Sequence, residues 1–533
     1  MPSDCITYQN SGQFTKLMID YLDEKSALKP FYNHFPKIEN FKYQIEEKSL
    51  NFNTVDNSKR QNLVAELKKQ YSNSNASEAT LNNIKLLEDN STFTITTGHQ
   101  LNLFTGPLYF LYKIVSTINL CKQLKSEYPN NNFVPVYWMA TEDHDFEEIN
   151  FFKLKDKTFR WNKESNGPVG RLTTEGLEKV FKVFANEIGS SINAEALKTL
   201  FENAYINNSN LADATRFLAN ELFKNEGLVI IDGDSKALKR HFISQAKKEL
   251  LEQTSFQKVS KTNEMLKDYF VQVNPREINL FYIEDKLRER IVFENGIYKI
   301  NNTALEFSES EILNELENHP EKFSPNVILR PLYQEIILPN LCYIGGGGEL
   351  AYWLELKSNF DANNITFPML LLRNSILLAT EKQNKKADKL NLSWSDLFST
   401  QSELTTKKTK EFSAFTIDFS AQKEHLKKQF ENLYTIANAT DKSFLGAVKA
   451  QESKQIKGLE NLEKRLLKAE KKNHNDQLER ILSIQNELFP NQKLQERYVN
   501  FSEFYLEFGN SLIEVLLKEL KPLSQEFKII TLK

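Results

Sequence analysis

Residues 93–100 read FTITTGHQ, a short run rich in β-branched residues that ends in a glycine. Such a run is typical of a buried strand. A helical pattern of apolar residues follows over 108–121, and a second apolar run, FVPVYWMA, occupies 133–140. We place the N-cap of the helix at Thr105, with Pro107 in its first turn. Strand, helix and strand in this order predict a βαβ unit, in which the two strands are parallel.

The same alternation returns later in the chain. A strand is predicted over 227–232, followed by a helix over 235–252. A second pair comprises a strand at 341–344 and a helix at 349–357, and a last strand is predicted at 367–372. The sequence therefore predicts an α/β fold with a Rossmann-like core built from discontinuous segments.

Two inserts interrupt this core. The first is mostly helical, and the second contains a hairpin in which Asn295-Gly296 forms a turn between Ile291–Phe293 and Ile297–Ile300, next to Leu280–Glu284. We expect strands to stop near residue 380 and helices to follow. The predicted organisation is core at 1–154, 226–254 and 326–380, inserts at 155–225 and 255–325, a helical arm at 381–499, and a C-terminal helix packing back on the core at 500–533.

The arm shows heptad-like spacing. Apolar residues recur at intervals of three and four at Leu426, Phe430, Leu433 and Ala437, and again at Leu459, Leu462, Leu466 and Ala469. This pattern predicts a protruding coiled-coil hairpin. The alternative is an ordinary helical bundle packed on the core.

Composition and charge exclude several classes of function. The chain has 68 basic and 71 acidic residues without a long block of one sign, which argues against a nucleic-acid partner. The N-terminal residues lack a secretory signal pattern, and no apolar run is long enough to cross a membrane. Three scattered cysteines, Cys5, Cys121 and Cys342, do not make a disulfide framework. We therefore expect a cytoplasmic protein with no membrane partner.

Three groups of polar residues follow predicted strands, where α/β folds bind ligands. The first surrounds a glycine turn that leads into a helix N-terminus, a place suited to phosphate, with a histidine that can carry a proton. The alternative is a tight strand–helix junction with a surface histidine. The candidate residues of this group are Thr97, Gly98, His99, Gln100, Gly106 and Lys113.

The second group is an acidic loop, TEDHDFEE, at 141–148. Five carboxylates within seven residues repel one another, which raises pKa values and suits a general base. Asp143, His144 and Asp145 are the catalytic candidates, and Asp143 with Asp145 can hold Mg²⁺ through oxygen ligands. The alternative is an exposed acidic loop or helix start.

The third group is a run of four glycines, Gly345, Gly346, Gly347 and Gly348, followed by Glu349. Four glycines are entropically costly to order and leave the backbone open to a ligand. Glu349 would repel phosphate, so we expect it to meet an amine or a hydroxyl, with Tyr352 and Trp353 as a wall. This group predicts a substrate-binding site.

Two arginines, Arg330 and Arg373, flank the glycines in apolar runs that we interpret as strand-like. A buried guanidinium needs an anionic partner. That partner is either a structural carboxylate or a carboxylate or phosphate of a ligand.

Taken together, these stretches resemble the bacillithiol biosynthesis cysteine-adding enzymes. The resemblance rests on TTGHQ at 96–100 with TGPLY at 105–109, VPVYWMATEDHDF at 134–146, SPNVILRPLYQE at 324–335, YIGGGGELAYW at 343–353, and LFPN and LQER within 488–497. Several long motifs in one order are more specific than any single motif.

The resemblance implies a nucleotidyltransferase-like Rossmann core with two connecting inserts, and a coiled-coil arm that supports a homodimer. It implies ATP-dependent addition of L-cysteine to glucosaminyl-malate, an amide-forming ligase reaction, with Mg²⁺ beside the ATP and no tightly bound cofactor. Two alternatives stay open: another nucleotidyltransferase or adenylate-forming enzyme, and a nucleotide-binding coiled-coil scaffold without catalysis.

Overall fold

The computed structural model describes residues 5–53, 58–72 and 74–533. Its centre is a parallel five-stranded sheet with the strands β1 Thr92–His99, β2 Asn132–Met139, β3 Val229–Asp232, β4 Asn340–Gly345 and β5 Met369–Leu372. The spatial order is β5-β4-β1-β2-β3, and every neighbouring pair is parallel. This confirms the predicted Rossmann-like α/β core.

The order of the strands creates a switch point between β1 and β4. From β1 the chain adds β2 and β3 on one side, then crosses to the other side of β1 to form β4 and β5. Loops that leave neighbouring strands in opposite directions open a crevice at the carboxyl edge of the sheet. The turn after β1 and the glycine run after β4 therefore flank the same crevice.

Buried polar contacts join the two strands at this point. Thr96 and Thr94 donate to the side-chain oxygen of Asn340 at 2.8 and 3.3 Å. Below them, Lys48 and Glu335 form an ion pair of 3.0 Å in which both side chains are completely buried. Such a pair is costly to desolvate, and removing one partner would leave a buried charge.

Helices cover both faces of the sheet and fill the first insert. The α-helix that follows β1 is Tyr109–Glu127, here called α1, and the helix after β4 is Gly347–Leu354, here called α2. Of the other α-helices, those that precede residue 363 are Tyr8–Ser11, Lys16–Leu22, Phe41–Phe52, Ser58–Gln70, Glu78–Leu86, Phe146–Ile149, Leu177–Ile188, Ile192–Phe201, Leu211–Leu222, Lys236–Lys239, Ile243–Glu252, Thr254–Met265, Glu309–Asn318, Arg330–Ile337 and Lys357–Ala362.

Two predictions about this part of the chain are wrong. The helix after β1 is not capped by Thr105, because its N-cap is Leu108 and Thr105 has a positive φ of 70°. Phe104, Thr105 and Gly106 form a left-handed turn whose Phe104 and Gly106 carbonyls accept from the side chain of Asn500 at 2.7 and 2.6 Å. Arg330 does not lie in a strand-like run but begins the helix Arg330–Ile337.

The predicted hairpin of the second insert is confirmed and belongs to a larger antiparallel sheet, here called the insert sheet. Asn295 and Gly296 both have positive φ, as the tight turn between its two strands requires. In spatial order its strands are Glu306–Phe307, Ile297–Ile300, Leu287–Glu294, Leu280–Glu284 and Phe323–Pro325. The first insert carries a smaller hairpin, Phe151–Leu154 with Lys157–Arg160.

Strands do not stop near residue 380, contrary to the sequence prediction. Ser375–Thr380 pairs in parallel with Glu526–Leu532, which also pairs with Cys5–Thr7 in antiparallel orientation. From residue 500 onward the chain thus forms two helices, Phe501–Phe508 and Ser511–Glu519. They are followed by the strand Glu526–Leu532, which lies between the other two strands of this sheet.

The arm is a helical hairpin. Its long helices are Ser420–Asn438 and Lys442–Asn473, here called α3 and α4, and the other helices of this part of the chain are Glu381–Lys389, Trp394–Phe398, Gln401–Phe412 and Asn475–Leu488. Lys423 pairs with Glu463, and Tyr434 donates to Glu452, so α3 and α4 run antiparallel. Phe430, Ala437 and Val448 form a small apolar core between them. The predicted coiled-coil hairpin is therefore present.

Among the described residues, no helix is long and apolar enough to cross a membrane.

Candidate active site

A cavity of about 720 Å³ opens at the carboxyl edge of the parallel sheet, beside the switch point. It brings together most of the residues that the sequence singled out. Those that line it are Gly98, His99, Gln100, Lys113, Asp143, His144, Asp145, Arg330, Gly346, Gly348, Glu349, Tyr352 and Arg373. The three polar groups of the sequence therefore belong to one cleft.

Five predicted residues lie outside the lining of this cleft. Thr97 donates its hydroxyl to the Ile344 carbonyl at 2.7 Å, and Gly106 lies in the turn bound by Asn500. Gly345 and Gly347 face protein atoms, and Trp353 is fully buried behind Tyr343, with the two rings stacked at 4.3 Å. These five residues contact other parts of the protein rather than the cleft.

A linked set of polar groups joins the first and third groups. The Lys113 ammonium lies 2.5 Å from Glu349 and donates to the Gly98 carbonyl at 2.7 Å. Glu349 also accepts from the Tyr343 hydroxyl at 3.0 Å and from the Gly346 N–H at 2.8 Å. A side chain at residue 98 would stand 2.9 Å from the Tyr343 hydroxyl, so glycine is needed there.

Burial and the neighbouring charges act in opposite directions on the pKa values of Glu349 and Lys113. Burial works against ionisation of Glu349, but Lys113 and the other donors outweigh it and hold its pKa below the usual value. Burial lowers the pKa of Lys113, although Glu349 acts in the other direction. Lys113 is thus engaged by the protein itself and is less free for phosphate than the sequence indicates.

His99 is a neutral, buried ring beside this set. Burial, with Lys113 and Arg373 nearby, holds the pKa of His99 well below its usual value. Its Nε2 is buried without a hydrogen-bond partner among the described residues, and its ring packs against Tyr109 and Phe110. A neutral imidazole here can donate or accept one hydrogen bond but does not supply a positive charge.

In the acidic loop, some carboxylates contact other side chains of the protein, and others face the cleft. Glu142 pairs with Lys239 at 2.5 Å, Glu147 pairs with Arg160, and Glu148 accepts from Gln100. Only Asp143 and Asp145 present carboxylates to the cleft without a lysine or arginine partner within 4.0 Å in the described part of the chain.

These two aspartates have different environments. Burial works against ionisation of Asp143, but His144 and Gln100 donate to it and hold its pKa well below the usual value. Burial and the charge of Asp143 raise the pKa of Asp145. Asp145 is therefore the better proton acceptor of the two, and Asp143 stays ionised.

His144 lies between the two aspartates and Arg288 of the insert sheet. Arg288 Nη1 donates to His144 Nδ1 at 2.5 Å, which makes Nδ1 the acceptor and places the ring proton on Nε2. The ligand atoms of Asp143, His144 and Asp145 all lie within 4.8 Å of one another. This spacing and the oxygen ligands fit a Mg²⁺ ion.

The two predicted arginines have different partners. Arg373 is buried and forms a bidentate pair with Glu496 at 2.7 and 3.0 Å, so its partner is a structural carboxylate. Arg330 is half-buried and surrounded by the rings of Trp138, Tyr343 and Trp353 at 5.7–5.9 Å. Arg330 donates to the Gln334 side-chain oxygen at 3.0 Å, but no carboxylate of the described chain lies within 4.0 Å of it, so its charge can pair with an anionic ligand.

The sequence reasoning missed several cleft residues. Arg276, Arg288 and Arg290 reach the cleft from the second insert, and Arg497 reaches it from the C-terminal part of the chain. The alternation Arg288-Glu289-Arg290 was a usable signal, because residues two apart on a strand share a face. Arg497 had a weaker signal, since it ends the LQER motif.

The fold and the cleft define a class of protein: a Rossmann-like α/β domain with a ligand cleft at its switch point and an appended coiled-coil arm. The profile described as "Bacillithiol biosynthesis BshC, N-terminal Rossmann-like domain" matches residues 1–374, and "Bacillithiol biosynthesis BshC, C-terminal coiled-coil domain" matches residues 376–532. The chain therefore belongs to the bacillithiol biosynthesis BshC family.

Relatives similar over their whole length carry one name, "Putative cysteine ligase BshC". A protein of Flavobacterium johnsoniae is 68% identical over 532 residues, with 100% of both chains covered. One from Flavobacterium psychrophilum is 64% identical with 99% of both chains covered. One from Cytophaga hutchinsonii is 38% identical, with 97% of this chain and 96% of its own length covered.

Proposed function

We propose that this chain uses ATP to join the carboxyl group of L-cysteine to the amine of glucosaminyl-malate. The observation that carries the proposal is the pair Asp143 and Asp145, whose pKa values are moved in opposite directions at the mouth of a cleft that also holds an unpaired Arg330. Amide formation needs a base for the amine and cationic groups for the anionic substrates, and this cleft offers both.

The chemistry has two steps. A carboxylate oxygen of cysteine attacks a phosphorus of ATP, which gives either an acyl adenylate with release of pyrophosphate or an acyl phosphate with release of ADP. The amine nitrogen then attacks the activated carbonyl carbon, the C–O bond to the phosphoryl group breaks, and AMP or phosphate leaves. The proton lost by the amine goes to Asp145, and holding the two reactants together supplies much of the rate gain.

The remaining residues have positioning roles in this proposal. Asp143 would hold Mg²⁺ together with the phosphates of the substrate, and the ion would neutralise charge on those phosphates, which leaves Asp145 as the base. Gly346, Gly348 and Tyr352 leave room beside Glu349 for an amine-bearing substrate, and Arg330 would bind a substrate carboxylate through its planar fork.

The test is mass spectrometry of purified protein with cysteine, glucosaminyl-malate, ATP and Mg²⁺, each omitted in turn. We expect the cysteine adduct only in the complete mixture, and the release of AMP or ADP identifies the activated intermediate. A folded protein that consumes ATP without forming the adduct would favour another adenylate-forming activity. A protein that binds ATP without consuming it would favour the scaffold alternative.

We also propose that the arm joins two copies of the chain. Leu433 and Leu462 occupy heptad positions yet are 40% and 53% exposed, and Leu462 borders an apolar groove of about 820 Å³ between α3 and α4. A second copy of the arm would cover these residues. Light scattering after chromatography should show a dimer for the native chain and a monomer for Leu433→Glu/Leu462→Glu. A native monomer at micromolar concentration would contradict the proposal.

A further inference from the structure

One face of the insert sheet presents arginines to the cleft. Arg288 and Arg290 lie two residues apart on the strand Leu287–Glu294, so they share a face, while Glu289 turns to the other side and accepts from Asn302. Phe281, paired across the sheet with Arg290, lies on that same face. Arg276 joins them from the preceding loop, and all four residues line the cleft.

These arginines have no carboxylate partner among the described residues. Within the part of the chain that the structure describes, no carboxylate oxygen lies within 4.0 Å of Arg276, Arg288 or Arg290. Arg288 instead donates to His144, lies over the Phe281 ring at 4.0 Å, and has a buried Nε without a hydrogen-bond partner. The half-buried Arg288 therefore retains unused donor capacity at the edge of the cleft.

The carboxylates near Arg288 act on its charge without pairing with it directly. Burial lowers the pKa of Arg288, although Asp143, Glu142 and Asp145 act to raise it. In the described chain none of them lies within 4.0 Å of Arg288: Lys239 pairs with Glu142, Gln100 and the His144 N–H donate to Asp143, and Asp145 faces the cleft. A half-buried guanidinium without a direct anion is stabilised when a ligand supplies one.

The number and type of these groups indicate the ligand. One carboxylate needs one arginine fork, whereas three guanidinium groups fit several oxyanions in a row, as in a phosphate chain. The acidic loop contacts Arg288 through His144 and would repel a bare anion, but with a divalent cation it would bind the same phosphates. Lys113, already engaged by Glu349, does not compete for this role.

We propose that Arg276, Arg288 and Arg290 form a polyphosphate-binding subsite, on which the phosphate chain of the nucleoside triphosphate lies against the insert sheet. This inference rests on the proposed function, because it assigns the ATP of that reaction to one wall of the cleft. The second insert thereby becomes part of the active site. Glu349 and Arg330, which also line the cleft, are left for the other two substrates.

The test is calorimetric binding of Mg-ATP, inorganic tripolyphosphate and adenosine to the full chain and to Arg288→Gln/Arg290→Gln. Removing one charge-assisted hydrogen bond should weaken binding by about tenfold or more, so we expect a Kd for Mg-ATP and for tripolyphosphate raised roughly a hundredfold in the double variant. Adenosine should bind weakly to both proteins. Arg288→Lys/Arg290→Lys, which keeps the charges but removes the forks, should recover part of the affinity.

A matched control removes two cations of the same sheet that lie outside the cleft lining. Lys286 is exposed in the turn after Leu280–Glu284, and Lys299 pairs with Glu294 at 3.5 Å. Lys286→Gln/Lys299→Gln should bind Mg-ATP with the native Kd. Equal weakening in both double variants would overturn the subsite, since it would reflect net charge alone.

The other outcomes separate this inference from the proposed reaction. Tripolyphosphate binding by the native chain that disappears in Arg288→Gln/Arg290→Gln supports the subsite even if no cysteine adduct forms. Adduct formation by a folded Arg288→Gln/Arg290→Gln variant with a native Kd for Mg-ATP would overturn the subsite and leave the ligase proposal intact. A native chain that binds neither Mg-ATP nor tripolyphosphate would also overturn the subsite.

Discussion

Asp143 and Asp145 show how two identical side chains two residues apart acquire different chemistry. Asp143 accepts hydrogen bonds from Gln100 and from the His144 N–H, whereas Asp145 feels the charge of Asp143. Donors to a carboxylate favour its ionised form, and a neighbouring negative charge disfavours it. The loop therefore provides one permanently ionised carboxylate and one that is suited to accept a proton.

We expect Asp145→Asn to lower kcat/KM for adduct formation by roughly a hundredfold or more, because it removes the proposed base. In the native protein, activity should rise with pH as Asp145 loses its proton, at a pH above the usual aspartate range because its pKa is raised. Profiles of kcat/KM against pH for both proteins check this. The acid limb should vanish in the variant.

Asp143→Asn is the matched comparison for that experiment. It keeps Asp145 as base but weakens the site proposed for Mg²⁺, so added Mg²⁺ should recover part of its activity and none of that of Asp145→Asn. If folded Asp145→Asn keeps the native kcat/KM, Asp145 is not the base.

At the scale of elements, the left-handed turn before α1 is held by a residue nearly 400 positions away. The side-chain amide of Asn500 donates to the Phe104 and Gly106 carbonyls, and the Leu108 N–H donates to the Val499 carbonyl at 2.8 Å. Phe104 is anchored among the rings of Phe152, Phe184, Phe201 and Phe501. These contacts fix the helix that carries Lys113.

Asn500→Ala should lower the free energy of unfolding by about 3 kcal/mol, because two buried carbonyls lose their donor. It should also raise KM, since α1 would no longer be held in place. Urea denaturation and initial-rate kinetics measure the two effects. Asn475→Ala, at the exposed start of Asn475–Leu488, is the control and should change stability by less than about 0.5 kcal/mol.

The same turn shows what sequence patterns can and cannot predict. The parallel strands, the glycine run after β4 and the Asn295-Gly296 turn depend on local propensity, and all three were predictable. The helix start was not, because Thr105 lies in a left-handed turn that a distant residue, Asn500, holds in place. The cleft residues that directly follow core strands were predicted. The arginines of the insert sheet were not, because their place in the cleft depends on how the second insert folds over the core. The strand Glu526–Leu532 is rich in apolar and β-branched residues and was predictable but missed.

At the scale of the whole molecule, the Arg373–Glu496 pair joins the two matched regions of the chain. Glu496, from the C-terminal region, also accepts from the Ile376 N–H at 3.1 Å, and Gln495 bonds both ways with the backbone of Leu378. Arg373 lines the cleft and is 3% exposed, and Glu496 is 1% exposed. The cleft is therefore built on a contact between both regions.

Glu496→Gln should destabilise the protein by about 3–5 kcal/mol, because it leaves the Arg373 charge buried without its partner. The double variant Arg373→Met/Glu496→Met should lose less stability than the sum of the losses in Arg373→Met and Glu496→Met, which with the native protein complete the cycle. Urea denaturation of all four proteins gives the coupling energy. Additive losses would show that the pair is not a cooperative link between the two regions.

The strand Glu526–Leu532 has a consequence for synthesis, because it lies between Cys5–Thr7 and Ser375–Thr380. A nascent chain leaving the ribosome presents its first strand and all of its parallel sheet long before this strand is translated. Until then the edges of Cys5–Thr7 and Ser375–Thr380 lack their partner, and Asn500 and Arg497 are absent from the turn and the cleft. Catalytic competence should therefore appear only after this strand has been translated, and a chain terminated before it should be inactive and aggregation-prone.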